Sequence, residues 1–98
     1  MRQKYIAVDF DGTICEHRYP ELGAPKHEVI NAMCQERCRG TKMIIWTCRP
    51  SNDPDMLKFL REWNVPYDAI NENPWFTMLH SPKIYADEYW DDRARQIY

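Results

Sequence analysis

Neither sign of charge dominates this chain. Thirteen Lys and Arg stand against fifteen Asp and Glu, a formal charge of −2. That argues against the basic stripe with which an extended nucleic-acid surface neutralises phosphates, and leaves room for a local basic site. Long hydrophobic runs are missing too. The longest, Met43-Ile44-Ile45-Trp46, falls far short of the roughly 18 residues that cross a bilayer, so no membrane partner is expected. Met1-Arg2-Gln3-Lys4 leads into only Tyr5-Ile6-Ala7-Val8 before an acid. No signal-peptide core follows, and a cytoplasmic location is the expectation. No C-x-x-C pair occurs among Cys15, Cys34, Cys38 and Cys48. In a chain that keeps its thiols reduced, the four read as small buried hydrophobes. His17, His27 and His80 lack metal-ligand spacing, and no internal repeat is present.

The 98 residues are 44% hydrophobic and 29% charged. That balance suits one globular domain over residues 1–98 and not a disordered or low-complexity segment. Tyr5-Ile6-Ala7-Val8-Asp9-Phe10 reads as a buried parallel strand. Residues 14–24 are polar and punctuated by Pro and Gly, which predicts a short hairpin or loop. Pro25 suits the first position of a helix that carries Val29, Ile30, Met33, Cys34 and Cys38 on one face and stops at Gly40. Met43 to Thr47 is a second strand. Asp53 caps a second helix with Pro54 at its first position and Met56, Leu57, Leu60 and Trp63 as its apolar stripe. A short third strand ends near Ile70, and a fourth covers Tyr85–Asp91. A helical stub is expected from Arg93. Trp46, Trp63 and Trp90 are expected in the core.

The resulting β-α-β-α-β–β order predicts an α/β domain with a mostly parallel sheet and right-handed crossovers. Ligands of such sheets sit beyond the carboxyl ends of the strands. Asp9, Asp11, Thr47, Asp91 and Asp92 all fall at or just past strand ends. Three segments thus deliver polar groups to one edge. Carboxylates crowded together raise one another's pKa unless a cation separates them, and an all-oxygen set suits Mg²⁺. Gly12 lets the backbone turn sharply and approach a ligand.

Asp9-Phe10-Asp11-Gly12-Thr13 resembles the first motif of the haloacid dehalogenase (HAD) superfamily of phosphatases. Further motifs occur in the family's order over nearly the whole chain. The resemblance implies a three-layer, Rossmann-like parallel sheet with flanking helices. It implies that Asp9 is the nucleophile that forms an aspartyl-phosphate and that Asp11 is general acid, then base. The Asp9 carboxylate and the Asp11 backbone carbonyl would bind Mg²⁺. Thr47 resembles the second-motif hydroxyl that holds the phosphoryl oxygen. By position rather than by resemblance, Arg49, two residues on, and Gly12 are further candidate substrate contacts. Lys83 resembles the third-motif lysine. Asp91-Asp92 resembles the acid pair that closes the metal site, and Asp87 with Asp91 fits an alternative spacing. Lys83 to Arg93, with Asn71-Glu72-Asn73-Pro74, looks like a small bacterial and phage branch of the superfamily.

The implied function is a Mg²⁺-dependent phosphomonoester hydrolase acting on a phosphorylated substrate. The alternatives are a phospho-receiver-like module and a non-catalytic interaction subunit of the same fold. A receiver's phosphorylated aspartate ends a later strand, where this chain has Thr47, so the order favours the phosphatase. Neither residues 14–24 nor 71–82 give room for a cap domain, so the site is expected to be open. The short remainder after Asp92 implies a minimal domain, or one whose edge a second copy completes as a homo-oligomer.

Overall fold

A computed structural model describes residues 3–75, 86–92 and 95–97. The strands are β1 (Tyr5–Asp9), β2 (Lys42–Trp46), β3 (Ala69–Ile70), β4 (Glu88–Trp90) and β5 (Arg95–Ile97); the helices are α1 (His27–Cys38) and α2 (Pro54–Glu62). The sheet order is β3-β2-β1-β4-β5. The first four strands run parallel, and β5 returns antiparallel along β4. The expected α/β parallel sheet is therefore present. The helical stub expected from Arg93 is replaced by a strand. Three residues of β5 find backbone partners on the open edge of β4, which so short a segment cannot supply to itself as a helix.

β1 is central because Ile6, Ala7 and Val8 are apolar on both faces and all three are buried. Ile6, Val8, Met43 and Ile45 face one side, where Ile30 and Met33 of α1 and Met56, Phe59 and Leu60 of α2 meet them. Both crossovers step in one direction along the sheet, so right-handedness puts both helices on one face. Ala7, Ile44, Ala69 and Ala86 face the other side, where Tyr5, Trp75 and Tyr89 pack. Among the described residues that second face carries no helix. The centre of the β3–β4 connection lies outside the described residues.

Asp53 caps α2 as expected, its side chain accepting from the Asp55 N–H, with Pro54 in the first turn. Pro25 does not open α1. It pairs with Cys15 in an isolated antiparallel bridge, and the helix starts two residues later. Of the cysteines only Cys15 is buried; Cys34, Cys38 and Cys48 are exposed. The buried stripe of α1 runs through Ile30, Met33 and Glu36 instead. Glu36 is held inside by Thr41 Oγ1 at 2.8 Å and Lys4 Nζ at 3.3 Å. Lys4 also reaches Glu88 at 2.6 Å, and Glu88 accepts from the Trp90 indole at 2.9 Å. This tie closes the amino ends of β1 and β4. Glu88, foremost, raises the Lys4 pKa against the opposing effect of burial.

Trp90 is in the core as expected, but Trp46 and Trp63 are about two-fifths exposed, at 43% and 41%. Trp46 ends β2 at the open edge of the sheet. Trp63 ends α2 and lies edge-on to His27, with ring centroids 5.4 Å apart. Asp87 is removed from the chemistry. Its carboxylate accepts from the Tyr5 N–H at 2.8 Å, and its own N–H donates to the Tyr5 carbonyl at 2.7 Å. It therefore stands at the amino end of β1, opposite the Asp9 end. Among the described residues no helix is long and apolar enough to cross a membrane.

Candidate active site

Strand register decides which residues meet. Asp9 pairs with Trp46, and Val8 pairs with Trp90, so Asp91 follows one step beyond β4 on the Asp9 side. Thr47 and Asn71 follow the ends of β2 and β3 directly. Asp9, Asp11, Thr47 and Asp92 line a cavity of about 380 Å³ at this edge, together with His17, Tyr19 and Cys48. Four of the expected site residues thus share one space. Asp91 is half-buried beside them, and Lys83 lies outside the described residues.

The turn after β1 is tight. The Phe10 carbonyl accepts from the N–H groups of Thr13, Ile14 and Cys15 at 3.2, 2.9 and 3.3 Å. Phe10, Ile14 and Cys15 are fully buried and anchor the turn in the core. Gly12 has φ +90, and a Cβ there would stand 3.2 Å from Asp92 Cβ. Its missing side chain lets the acid turn and the segment after β4 touch, while the left-handed backbone is strained for other residues. The Gly12 carbonyl accepts from Lys26 Nζ at 2.7 Å, a cation that no motif signalled. Thr13 Oγ1 is buried without a hydrogen-bond partner among the described residues.

Asp9 carries the electrostatic strain of the site. Burial pushes its pKa up to about 6, and the negative charges of Asp92, Asp11 and Asp91 add to the rise against a hydrogen bond from the Phe10 N–H. The donors that the sequence nominates, carboxylates of Asp9, Asp91 and Asp92 with the Asp11 carbonyl, are all hard oxygens, which fits Mg²⁺ by chemistry. Among the described residues no group of three or more His, Cys, Asp or Glu side chains is arranged to hold a metal ion.

Arg49 is engaged differently from the expectation of a substrate contact. It is only 4% exposed. Its Nε and Nη2 grip the two oxygens of Asp11 at 2.8 and 2.9 Å, a bidentate fork. Nη1 donates to Asp53 at 2.9 Å and to the Pro20 carbonyl at 3.2 Å, and Nη2 donates also to the Glu21 carbonyl at 3.0 Å. All five N–H groups are thereby used inside the chain, and none is left for a bound anion in this arrangement. Asp11 first, then Asp53, raise the Arg49 pKa against the cost of burial. Its guanidinium lies over Phe10 at 5.6 Å and over Tyr19 at 5.0 Å. One side chain thus ties together the acid turn, the loop over residues 16–24 and the start of α2.

Asn71 does for Thr47 what Arg49 does for Asp11. Its Oδ1 accepts from the Thr47 N–H at 2.8 Å, and its Nδ2 donates to the Arg49 carbonyl at 3.0 Å. Its own φ is 57, the left-handed conformation that Asn tolerates. Thr47 Oγ1 accepts from the Arg49 N–H at 3.1 Å, so the hydroxyl hydrogen remains to be given elsewhere. Lys26, Tyr19 and Asp53 were not legible as site residues. The one available signal was an aromatic, Tyr19, in an otherwise polar loop.

Among solved structures, the chain is similar to a conserved protein from Bacteroides thetaiotaomicron. The two are 32% identical with a TM-score of 0.80, over 94% of this chain and 78% of that one. No family model matches the chain, and no curated protein matches it.

Proposed function

The chain belongs to the same family as the conserved Bacteroides thetaiotaomicron protein, and we propose that it is a HAD-type, Mg²⁺-dependent phosphomonoester hydrolase of the cytoplasm. The observation that carries this reading is the meeting of Asp9, Asp11, Thr47 and Asp92, from three strand ends, around one cavity. In this reading the fold has a third layer on the second sheet face, where Trp75 packs against the cluster of Ala7, Ile44, Ala69 and Ala86.

An Asp9 carboxylate oxygen attacks phosphorus in line, and the bond from phosphorus to the ester oxygen breaks. Asp11 gives that oxygen a proton. An Asp11 oxygen must first turn from the Arg49 fork toward the ester, because both now accept from the guanidinium. Thr47 Oγ1, oriented by the Arg49 N–H, donates to a phosphoryl oxygen. Water then gives a proton to Asp11 and attacks phosphorus, which releases phosphate and restores Asp9. Asp9, Asp91, Asp92 and the Asp11 carbonyl would hold Mg²⁺, which would supply the positive charge that a carboxylate needs to approach a phosphoryl dianion. Lys83, by resemblance, adds a second positive charge.

The test separates the two aspartates. Asp9→Asn removes the nucleophile, and Asp11→Asn removes the proton donor and later base. A nitrophenyl ester needs little protonation as it leaves, so Asp11→Asn should still accept a phosphoryl group and then release it slowly. Mass spectrometry of acid-quenched protein with Mg²⁺ should find the added group on Asp9 in Asp11→Asn and none in Asp9→Asn. A phosphoryl group on any other residue sinks the covalent assignment. The Arg49 fork on Asp11 favours one second reading, a phosphate-binding module without turnover; there, wild-type protein binds phosphate with Mg²⁺ but hydrolyses no ester.

A further inference from the structure

The cavity has two chemically different sides. The carboxylates and Thr47 of its lining come from the sheet edge, whereas Tyr19 comes from the loop over residues 16–24. Tyr19 is 54% exposed, the most exposed of the large apolar side chains among the described residues. Its ring is nevertheless held in place. The Arg49 guanidinium covers it at 5.0 Å and is itself backed by Phe10 at 5.6 Å. The same guanidinium binds the carbonyls of Pro20 and Glu21, the next two residues. The loop backbone is further anchored by the Glu16 N–H on the Ala24 carbonyl at 2.8 Å. A Cβ at Gly23 would stand 2.0 Å from the Glu16 carbonyl, so the two sides of this loop are in contact.

An apolar ring kept in water and braced from behind by a buried cation is a prepared surface. The ordering that a contact requires has been completed before any ligand arrives. The cation behind the ring withdraws charge from the π face. That face is then a better partner for another flat ring than for a second cation. The space of about 380 Å³ is at the small end of ligand pockets. It suits a phosphoryl group and one ring system.

Resting on the phosphatase reading, we infer that Tyr19 is the platform for the leaving group. The substrates are then phosphomonoesters whose leaving alcohol or phenol carries an aromatic ring, as in aryl and nucleoside monophosphates. The phosphoryl group sits against Asp9 and Thr47, and the ring stacks on the exposed face of Tyr19. Tyr19 is a specificity-determining residue here and takes no part in proton or phosphoryl transfer.

The experiment compares kcat/KM for phenyl phosphate, a nucleoside 5′-monophosphate, a nucleoside 3′-monophosphate and glycerol 3-phosphate, with Mg²⁺, in wild type, Tyr19→Phe and Tyr19→Leu. Wild type should favour at least one ring-bearing ester over glycerol phosphate. That selectivity ratio should fall about tenfold in Tyr19→Leu, the scale of losing one base–aromatic stack, and persist in Tyr19→Phe. The aryl and nucleoside arms tell which ring source is used. Equal or better use of glycerol phosphate by wild type overturns the platform and leaves the phosphatase reading standing. So does a ratio unchanged in a folded Tyr19→Leu. Hydrolysis of none of the esters overturns the phosphatase reading instead. The platform is then read by saturation-transfer NMR of the same compounds: ring-proton signals present in wild type and lost in Tyr19→Leu support it, and their absence in wild type overturns it.

Discussion

Arg49→Met is the sharpest perturbation of this architecture. Met has a similar reach and an apolar stem, so much of the packing against Phe10 and Tyr19 survives. The charge and all five hydrogen bonds are lost. Asp11 and Asp53, with side chains only 13% and 17% exposed, are left as partly buried carboxylates without their cation, and the Pro20 and Glu21 carbonyls lose their donor. Removing one partner of a buried ion pair costs about 3–5 kcal/mol. Residual water access to the two carboxylates points to the lower half of that range. A domain of this size shifts by about 4–8 °C per kcal/mol, so a fall in Tm of about 12–32 °C is expected. The assay is thermal and urea unfolding followed by circular dichroism at pH 7 in EDTA, which keeps metal binding out of the comparison. Arg49→Lys should fall between, since an ammonium keeps the charge but cannot fork across Asp11. Adding Asp11→Asn to Arg49→Met should recover about 1–2 kcal/mol, because an amide is cheaper than a carboxylate to leave unpaired. The two single changes then couple strongly. A loss below about 1 kcal/mol for Arg49→Met, or strict additivity in the double variant, refutes the clamp.

Three other outcomes follow from charge. Asp9 has a folded pKa of about 6 against an ordinary value of 3.8. The native state therefore holds a proton that the unfolded chain has lost between about pH 4 and 6. The Asp9 contribution is then most favourable at low pH and declines as pH rises through that window. The full shift corresponds to about 3 kcal/mol, and the half-exposed carboxyl discounts it to about 1–1.5 kcal/mol. Metal-free wild type should accordingly lose more stability than Asp9→Asn between pH 5 and 7. Mg²⁺ at millimolar concentration should raise Tm by several degrees at pH 7 and by less at pH 5; no shift at pH 7 refutes the metal assignment. At the other end of the sheet, Lys4→Met leaves Glu36 and Glu88 buried without their shared cation. Its cost should be about 2 kcal/mol, below the usual buried-pair value because Lys4 itself is partly exposed. Chemical denaturation reads it, and a neutral result refutes the tie.

The fold was legible wherever one physical rule had no competitor. Tyr5 to Val8 and Met43 to Ile45 are apolar on both faces, and only a doubly covered strand accommodates that. The strand-end rule then brought Asp9, Asp11, Thr47 and Asp92 together without any three-dimensional information. Arg49 was legible as a cation near the site but not as a buried one. Its partners Asp53, Pro20 and Glu21 reach it only because the loop after β1 folds back, and no spacing records that. Cys34 and Cys38 share a helix face with apolar neighbours, yet Glu36 takes the buried position because Lys4 and Thr41 wait for it from other elements. β5 was missed because its partner, the free edge of β4, exists only after the sheet has formed.

The strand order also sets a timetable. β1, α1, β2, α2 and β3 follow one another along the chain and along the sheet, so the first three strands assemble through short-range closures. β4 belongs on the far side of β1, and residues 71–87 intervene before it can arrive. Until then the central strand presents Ile6, Ala7 and Val8 along an open edge, the kind of template that captures other chains. The span in which a nascent or refolding chain is vulnerable is therefore the wait for β4. A chain truncated before Glu88 should be caught in inclusion bodies, however complete its first half. The segment that seals this edge is also the one that carries Asp91 and Asp92, so the domain cannot assemble its acid cluster before it has protected itself from aggregation.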